Sequence, residues 1–215
     1  MPRTLVKICG TTSVEDALLA EESGADFLGI VVEHAPSPRN VDVQRAIEIR
    51  RAVSVPIVLL TVNRSRDDLN RIAGAVSPFA LQLHGDETPE LVSQLHNDGW
   101  RIWKALSGER DEVLARAGEM QQAGAEAILL DARAIKAGEV VYGGTGQRAD
   151  WNLARELAQS SAKLILAGGL TPENVALAVH EVQPWAVDAI SGIEARKGAK
   201  DAAKLRAFIR AAKEI

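Results

Sequence analysis

The chain has one cysteine, only a small excess of charge and no long apolar run. A single cysteine in 215 residues can form neither an internal disulfide nor a thiolate metal cage, which fits a reducing compartment and gives no metal site. The 25 Lys+Arg and 29 Asp+Glu leave a net charge of −4, with both signs interspersed. No basic face is left to neutralise a nucleic-acid backbone, so nucleic acid is excluded as a partner. No hydrophobic stretch approaches the roughly 20 residues that span a bilayer. The opening MPRTLVKICG breaks too soon to serve as a secretory signal, so no membrane association and a cytoplasmic location are expected. Linkers and low-complexity segments are also missing, and the 47% hydrophobic and 25% charged residues suit one globular domain over 1–215.

What is present is a rhythm. Short apolar runs at Thr4–Cys9, Asp26–Val32, Pro56–Val62, Phe79–His84, Arg101–Leu106, Ala127–Asp131, Lys163–Ala167 and Val187–Ser191 alternate with amphipathic stretches. The latter predict helices near 13–23, 42–53, 65–75, 88–98, 110–123, 150–159, 172–182 and 200–213. Ser13 with Asp16, Ser65 with Asp68, and Thr88-Pro89 supply helix starts. Eight β-then-α repeats call for a parallel sheet closed into a single-domain (β/α)₈ TIM barrel. An open doubly wound sheet would place G-x-G-x-x-G after its first strand, where this chain has Cys9-Gly10-Thr11-Thr12.

Barrel active sites lie at the carboxyl ends of the strands, so polar residues there carry weight. Alternation along the first strand turns Val6 and Ile8 to the helices and Leu5, Lys7 and Cys9 to the axis. The same parity sends Gln82, His84, Leu129 and Asp131 inward, so Cys9, His84 and Asp131 ring one mouth. A lone cysteine is ordinarily a small buried hydrophobe, and only its place marks Cys9 out. Asp131 either caps a loop or donates a proton from a desolvated rim. Lys7 and Asp188, on strands that close beside each other, read first as a buried ion pair; the alternative is a reacting amine, and Lys104 has the same status. His34, His96 and His180 carry no assignment.

The glycine clusters come late, at Gly143-Gly144-Thr145-Gly146, Gly168-Gly169 and Ser191-Gly192, after strands six, seven and eight. Backbone amides in tight turns hold phosphate where no side chain keeps the anion away. Three such turns side by side predict a phosphorylated small-molecule ligand. Ser37-Pro38-Arg39 adds a guanidinium opposite them, suited to a carboxylate at the ligand's other end.

Lys7-Ile8-Cys9-Gly10, Ser37-Pro38-Arg39, Gln82-Leu83-His84-Gly85-Asp86-Glu87, Leu129-Leu130-Asp131, Asp150-Trp151 after the first glycine cluster, Leu166-Ala167-Gly168-Gly169-Leu170, Pro172-Glu173-Asn174-Val175, Val187-Asp188, Ser191-Gly192-Ile193-Glu194 and Lys200-Asp201 together resemble phosphoribosylanthranilate isomerases over nearly the whole chain. The resemblance implies a cofactor-free Amadori rearrangement of tryptophan biosynthesis, with Cys9 as general base and Asp131 as general acid. It further implies Arg39 near the anthranilate ring and carboxylate, and phosphate on the loops of Gly144, Gly169 and Gly192. With the residues read from the strand ends, the expected ligand-binding set is Lys7, Arg39, His84, Gly144, Gly146, Gly168, Gly169, Ser191 and Gly192. The family includes monomers and dimers, so a monomer or homodimer is expected. The chain departs from the family's usual aromatics at Gly29-Ile30-Val31-Val32, has Ile190 where a serine is common, and lacks the usual proline before Gly198. These departures keep open another phosphorylated aldose as substrate; a non-catalytic phosphate-ligand sensor is the other alternative.

Overall fold

The computed structural model describes residues 3–132, 134–136, 139–141, 149–160 and 163–214. Among these residues, eight parallel strands run in chain order as β1 (Leu5–Ile8), β2 (Phe27–Val32), β3 (Ile57–Thr61), β4 (Ala80–Leu83), β5 (Ile102–Leu106), β6 (Ala125–Leu130), β7 (Leu164–Leu166) and β8 (Ala186–Ala189). Each pairs with the next, and β8 returns to β1 with Lys7 opposite Asp188, so the sheet closes. The strands alternate with α1 (Val14–Glu22), α2 (Val43–Ala52), α3 (Arg66–Val76), α4 (Pro89–Asn97), α5 (Arg110–Gln122), α6 (Trp151–Ser160), α7 (Val175–Val182) and α8 (Ala202–Lys213). The expected (β/α)₈ barrel is therefore the observed one. No described helix is long and apolar enough to cross a membrane.

The helix starts follow from side-chain oxygens that occupy otherwise unpaired first-turn amides. Ser13 accepts from Asp16 N, Ser65 from Asp68 N and Thr88 from Leu91 N, with Pro89 at the first helical position. Asp42 and Asp201 do the same for α2 and α8. Helix α7 begins later than the expected residue 172 because 171–174 form a turn, closed by Thr171 N donating to Asn174 Oδ1 at 2.9 Å. Short pieces outside the eightfold pattern are Asn40–Val41 beside β2, a hairpin of Ala134–Lys136 with Glu139–Val141, and a hairpin of Glu194–Arg196 with Ala199–Lys200.

Strand alternation splits the core in two. Val6, Ile8, Leu28, Ile30, Leu81 and Leu83 join the layer under the helices, whereas Phe27, Val58, Trp103, Leu129 and Ile165 fill the barrel interior. The amino-terminal end of the barrel is plugged by rings. Trp103 stands edge-on to Phe27 and Trp185, with centroids 5.1 and 5.7 Å away, and Phe79 lies 5.5 Å from Phe27. Trp103 is fully buried and its indole N–H has no acceptor among the described residues. Truncation to alanine should therefore cost about 3–5 kcal/mol of stability in urea unfolding. Trp103→Phe should cost clearly less, because it keeps a ring and removes an unpaired buried donor.

Candidate functional site

With the amino-terminal end closed, the strand parity concentrates polar side chains at the other mouth. His84 and Asp131 each sit one residue beyond their strand, and they line a pocket with Gly85, Ala105, Ser107 and Arg116. Asp131 Oδ1 accepts from the Ala132 amide at 2.8 Å, and Oδ2 is 3.3 Å from His84 Nε2. Behind His84, the Gln82 amide nitrogen is 2.8 Å from Nδ1. A Gln82 amide that donates to this nitrogen leaves the imidazole proton on Nε2, facing the carboxylate. Gln82, His84 and Asp131 form one chain of contacts.

Cys9 occupies the equivalent position after β1. Its thiol faces the lumen, against Val31, Leu60, Val62 and Ile190, and is fully buried. It does not border the pocket that Asp131 borders. Lys7 Nζ lies below it, 2.9 Å from Asp188 Oδ1, in the expected buried ion pair. Burial alone would lower the Lys7 ammonium, but the Asp188 carboxylate and Cys9 outweigh it and hold it above its ordinary value. Burial pushes the Cys9 thiol up, and the opposing pull of Lys7 does not cancel it. At neutral pH the resting group is a thiol.

Arg39 and Lys200 roof this corner. Arg39 donates from Nε and Nη2 to the two Glu194 oxygens at 2.8 and 2.7 Å, so the paired fork expected for a ligand carboxylate is engaged by the protein itself. Lys200 Nζ donates to the Cys9 carbonyl, 3.8 Å from Glu194 Oε1. Neither partner was visible in the sequence, where Arg39 and Glu194 are 155 residues apart.

Lys104 departs from its expected luminal status. Trp103 and Ala105 take the interior face of β5, so Lys104 points to the other face, where Nζ donates to the Leu83, Gly85 and Ala105 carbonyls and pairs with Glu87 at 3.0 Å. Burial pulls its ammonium down against Glu87. With its donors occupied it is a structural clasp for residues 84–87 and has no role as a reacting amine. Ile30 likewise packs under the helices, so that departure from the family pattern lies outside the mouth; Ile190 lines it.

The turns after β7 and β8 touch. A Cβ on Gly192 would stand 2.1 Å from the Leu170 carbonyl, and Gly168 and Gly169 have φ of +78° and +63°, so side chains are excluded where the loops meet. Asn174 Nδ2 holds this arrangement through the Gly169 carbonyl at 2.9 Å, a role the sequence did not signal. Among the described residues, the Gly168 and Gly169 amides have no acceptor, as an anion cradle requires. Ser191 and Gly192 form the adjoining 3₁₀ turn, while the expected ligand residues Gly144 and Gly146 lie outside the described residues. No group of three or more His, Cys, Asp or Glu among the described residues is placed to hold a metal ion.

Comparison with known proteins agrees on one family. The profile described as "N-(5'phosphoribosyl)anthranilate (PRA) isomerase" matches residues 6–211. The N-(5'-phosphoribosyl)anthranilate isomerase of Pseudomonas aeruginosa strain UCBPP-PA14 is 46% identical over 211 residues, 97% of this chain and 95% of that one. A dimeric Thermotoga maritima phosphoribosylanthranilate isomerase, solved as generated monomers, superposes with a TM-score of 0.85 at 34% identity, over 99% of this chain and 100% of that one. A phosphoribosylanthranilate isomerase in complex with reduced 1-(o-carboxyphenylamino)-1-deoxyribulose 5-phosphate gives 0.84 at 33% identity, over 99% and 100%.

Proposed function

The chain belongs to the N-(5'-phosphoribosyl)anthranilate isomerase family, and from that premise we propose that it performs its Amadori rearrangement with Cys9 as base and Asp131 as acid. The activity is that of tryptophan biosynthesis. The observation that carries the residue assignment is the placement of both groups one residue past the ends of β1 and β6, on the luminal face of one mouth. Asp131 delivers its proton to the furanose ring oxygen, and the ring opens to an iminium. The iminium acidifies the neighbouring C2–H, whose proton passes to the Cys9 thiolate to give an enolamine, and tautomerisation yields the ketone. A sulfur closed off from solvent is protected from reprotonation by bulk water.

The proton inventory gives a pH prediction. The reaction needs the thiol ionised and the carboxyl protonated at once, and one proton passed between them arms base and acid together without exchange with solvent. The product of the two active fractions is then independent of pH, so kcat/KM should be flat from about pH 7 to 9. It should fall only above that, since burial holds the thiol above its ordinary 9.0. A profile that instead climbs tenfold per unit through neutrality would remove Asp131 as the coupled acid.

The phosphate is assigned to the amides of the Gly168–Gly169 and Ser191–Gly192 turns. The ligand carboxylate goes to the outer edge of Arg39, whose Nε and Nη2 remain with Glu194. Lys7 is withdrawn from direct ligand contact by its pair with Asp188. A monomer or homodimer is retained for this chain. The test is turnover by purified protein, followed as loss of phosphoribosylanthranilate fluorescence. Conversion of an unrelated sugar phosphate with no loss of that signal would replace this reading with another aldose isomerase, and binding without turnover would leave a sensor.

A further inference from the structure

A fully buried thiol is a poor base unless something stabilises its anion. The charged groups facing Cys9 are Lys7 from its own strand, Asp188 from β8, and Lys200 from the hairpin after β8, itself tied to Glu194 and flanked by Arg39 and Asp16. Lys200 is directed at the Cys9 carbonyl, and Asp188 is an anion. Lys7 is left as the cation that borders the same space as the sulfur, opposite Gly29.

The backbone opposite makes room for that contact. Gly29 on β2 faces inward, and a Cβ there would stand 2.6 Å from Cys9 Sγ and 2.9 Å from Lys7 Nζ. Any other residue would drive its side chain into the space that thiol and ammonium share. Asp188 completes the arrangement by holding Nζ at 2.9 Å across the β1–β8 seam, in direct register.

Resting on the assignment of Cys9 as base, we propose that Lys7 is the positioning residue for the reaction: clamped by Asp188 and given room by Gly29, its ammonium stabilises the Cys9 thiolate. Lys7 touches no reacting atom. Its effect passes through the sulfur, and the family's general base thereby gains a fixed counter-ion from two residues before it in the chain.

The readout is unusually clean, because Cys9 is the chain's only cysteine and the 240 nm thiolate absorbance of the free enzyme, referenced to Cys9→Ser, reports that group alone. Removing an opposite charge at this range displaces a titration by about one unit or more. Lys7→Met should therefore move the absorbance titration to higher pH, lower the kcat/KM plateau about tenfold or more, and shift the alkaline fall upward by the same factor. If the orphaned Asp188 carboxylate prevents folding, Lys7→Met/Asp188→Asn removes both charges and should still shift the titration upward. Gly29→Ala, which removes no titratable group, should shift it in the same direction by parting the two side chains. A lower plateau with an unmoved titration would reduce Lys7 to a structural ion pair and overturn the proposal, as would unchanged activity. An unmoved isomerase rate in Cys9→Ser would instead overturn the assignment of the base, whatever the absorbance shows.

Discussion

Asp131→Asn should lower kcat by about 10²- to 10⁴-fold while leaving the barrel folded. The asparagine keeps the size of the side chain, and its carbonyl still accepts from the Ala132 amide, so the loop after β6 keeps its anchor. What it loses is the ability to hand a proton to a ring oxygen. With the acid gone, only the thiol titration remains, and the residual rate should rise about tenfold per pH unit through neutrality instead of lying flat. Cys9→Ser should be at least as damaging, since a serine hydroxyl ionises far less readily than a thiol. Circular dichroism would confirm the fold, and steady-state kinetics between pH 6.5 and 10 would check both statements. Wild-type turnover in either variant would end the acid–base assignment.

The second large effect is on stability. Lys104→Met should cost about 3–5 kcal/mol in urea unfolding, because it leaves Glu87 as a buried carboxylate without its cation. Glu87 is a hub: besides Lys104 it accepts from the Asn63 amide and the Gly85 amide, both at 2.9 Å. Lys104 in turn caps three carbonyls around the end of β4 and in β5. Because this clasp sets the path of the segment carrying His84, residual folded protein should also lose activity. Pairing the change with Glu87→Leu should recover part of the stability, as removal of both charges avoids the orphaned ion. Additive destabilisation in the double variant would show that the two side chains are not coupled.

Much of the barrel was legible because it is written in local signals. Val6 and Ile8 alternate with Lys7 and Cys9 at the two-residue period of a strand, and Ser13, Ser65 and Thr88 sit where a first helical turn needs an acceptor. The same parity carried Cys9, His84 and Asp131 to one mouth. What escaped was pairing between distant residues. Nothing near Arg39 announces Glu194, and nothing near Cys9 announces Lys200. Lys104 was misread because a lysine in a strand says little about its face until Trp103 and Ala105 are seen to fill the interior. The departure at Ile30 looked like a change in the site for the same reason. The hairpin of Glu194–Arg196 with Ala199–Lys200 was missed because its strands are too short to show a period.

Among the described residues, the edge-on and tilted rings of Phe27, Phe79, Trp103 and Trp185 close the amino-terminal end of the barrel and leave the opposite mouth as the way in. Whatever enters must depart by the same route, so incoming aminoaldose and outgoing ketose take turns at a shared doorway. Accumulated ketose should then raise the apparent KM and leave the limiting velocity untouched.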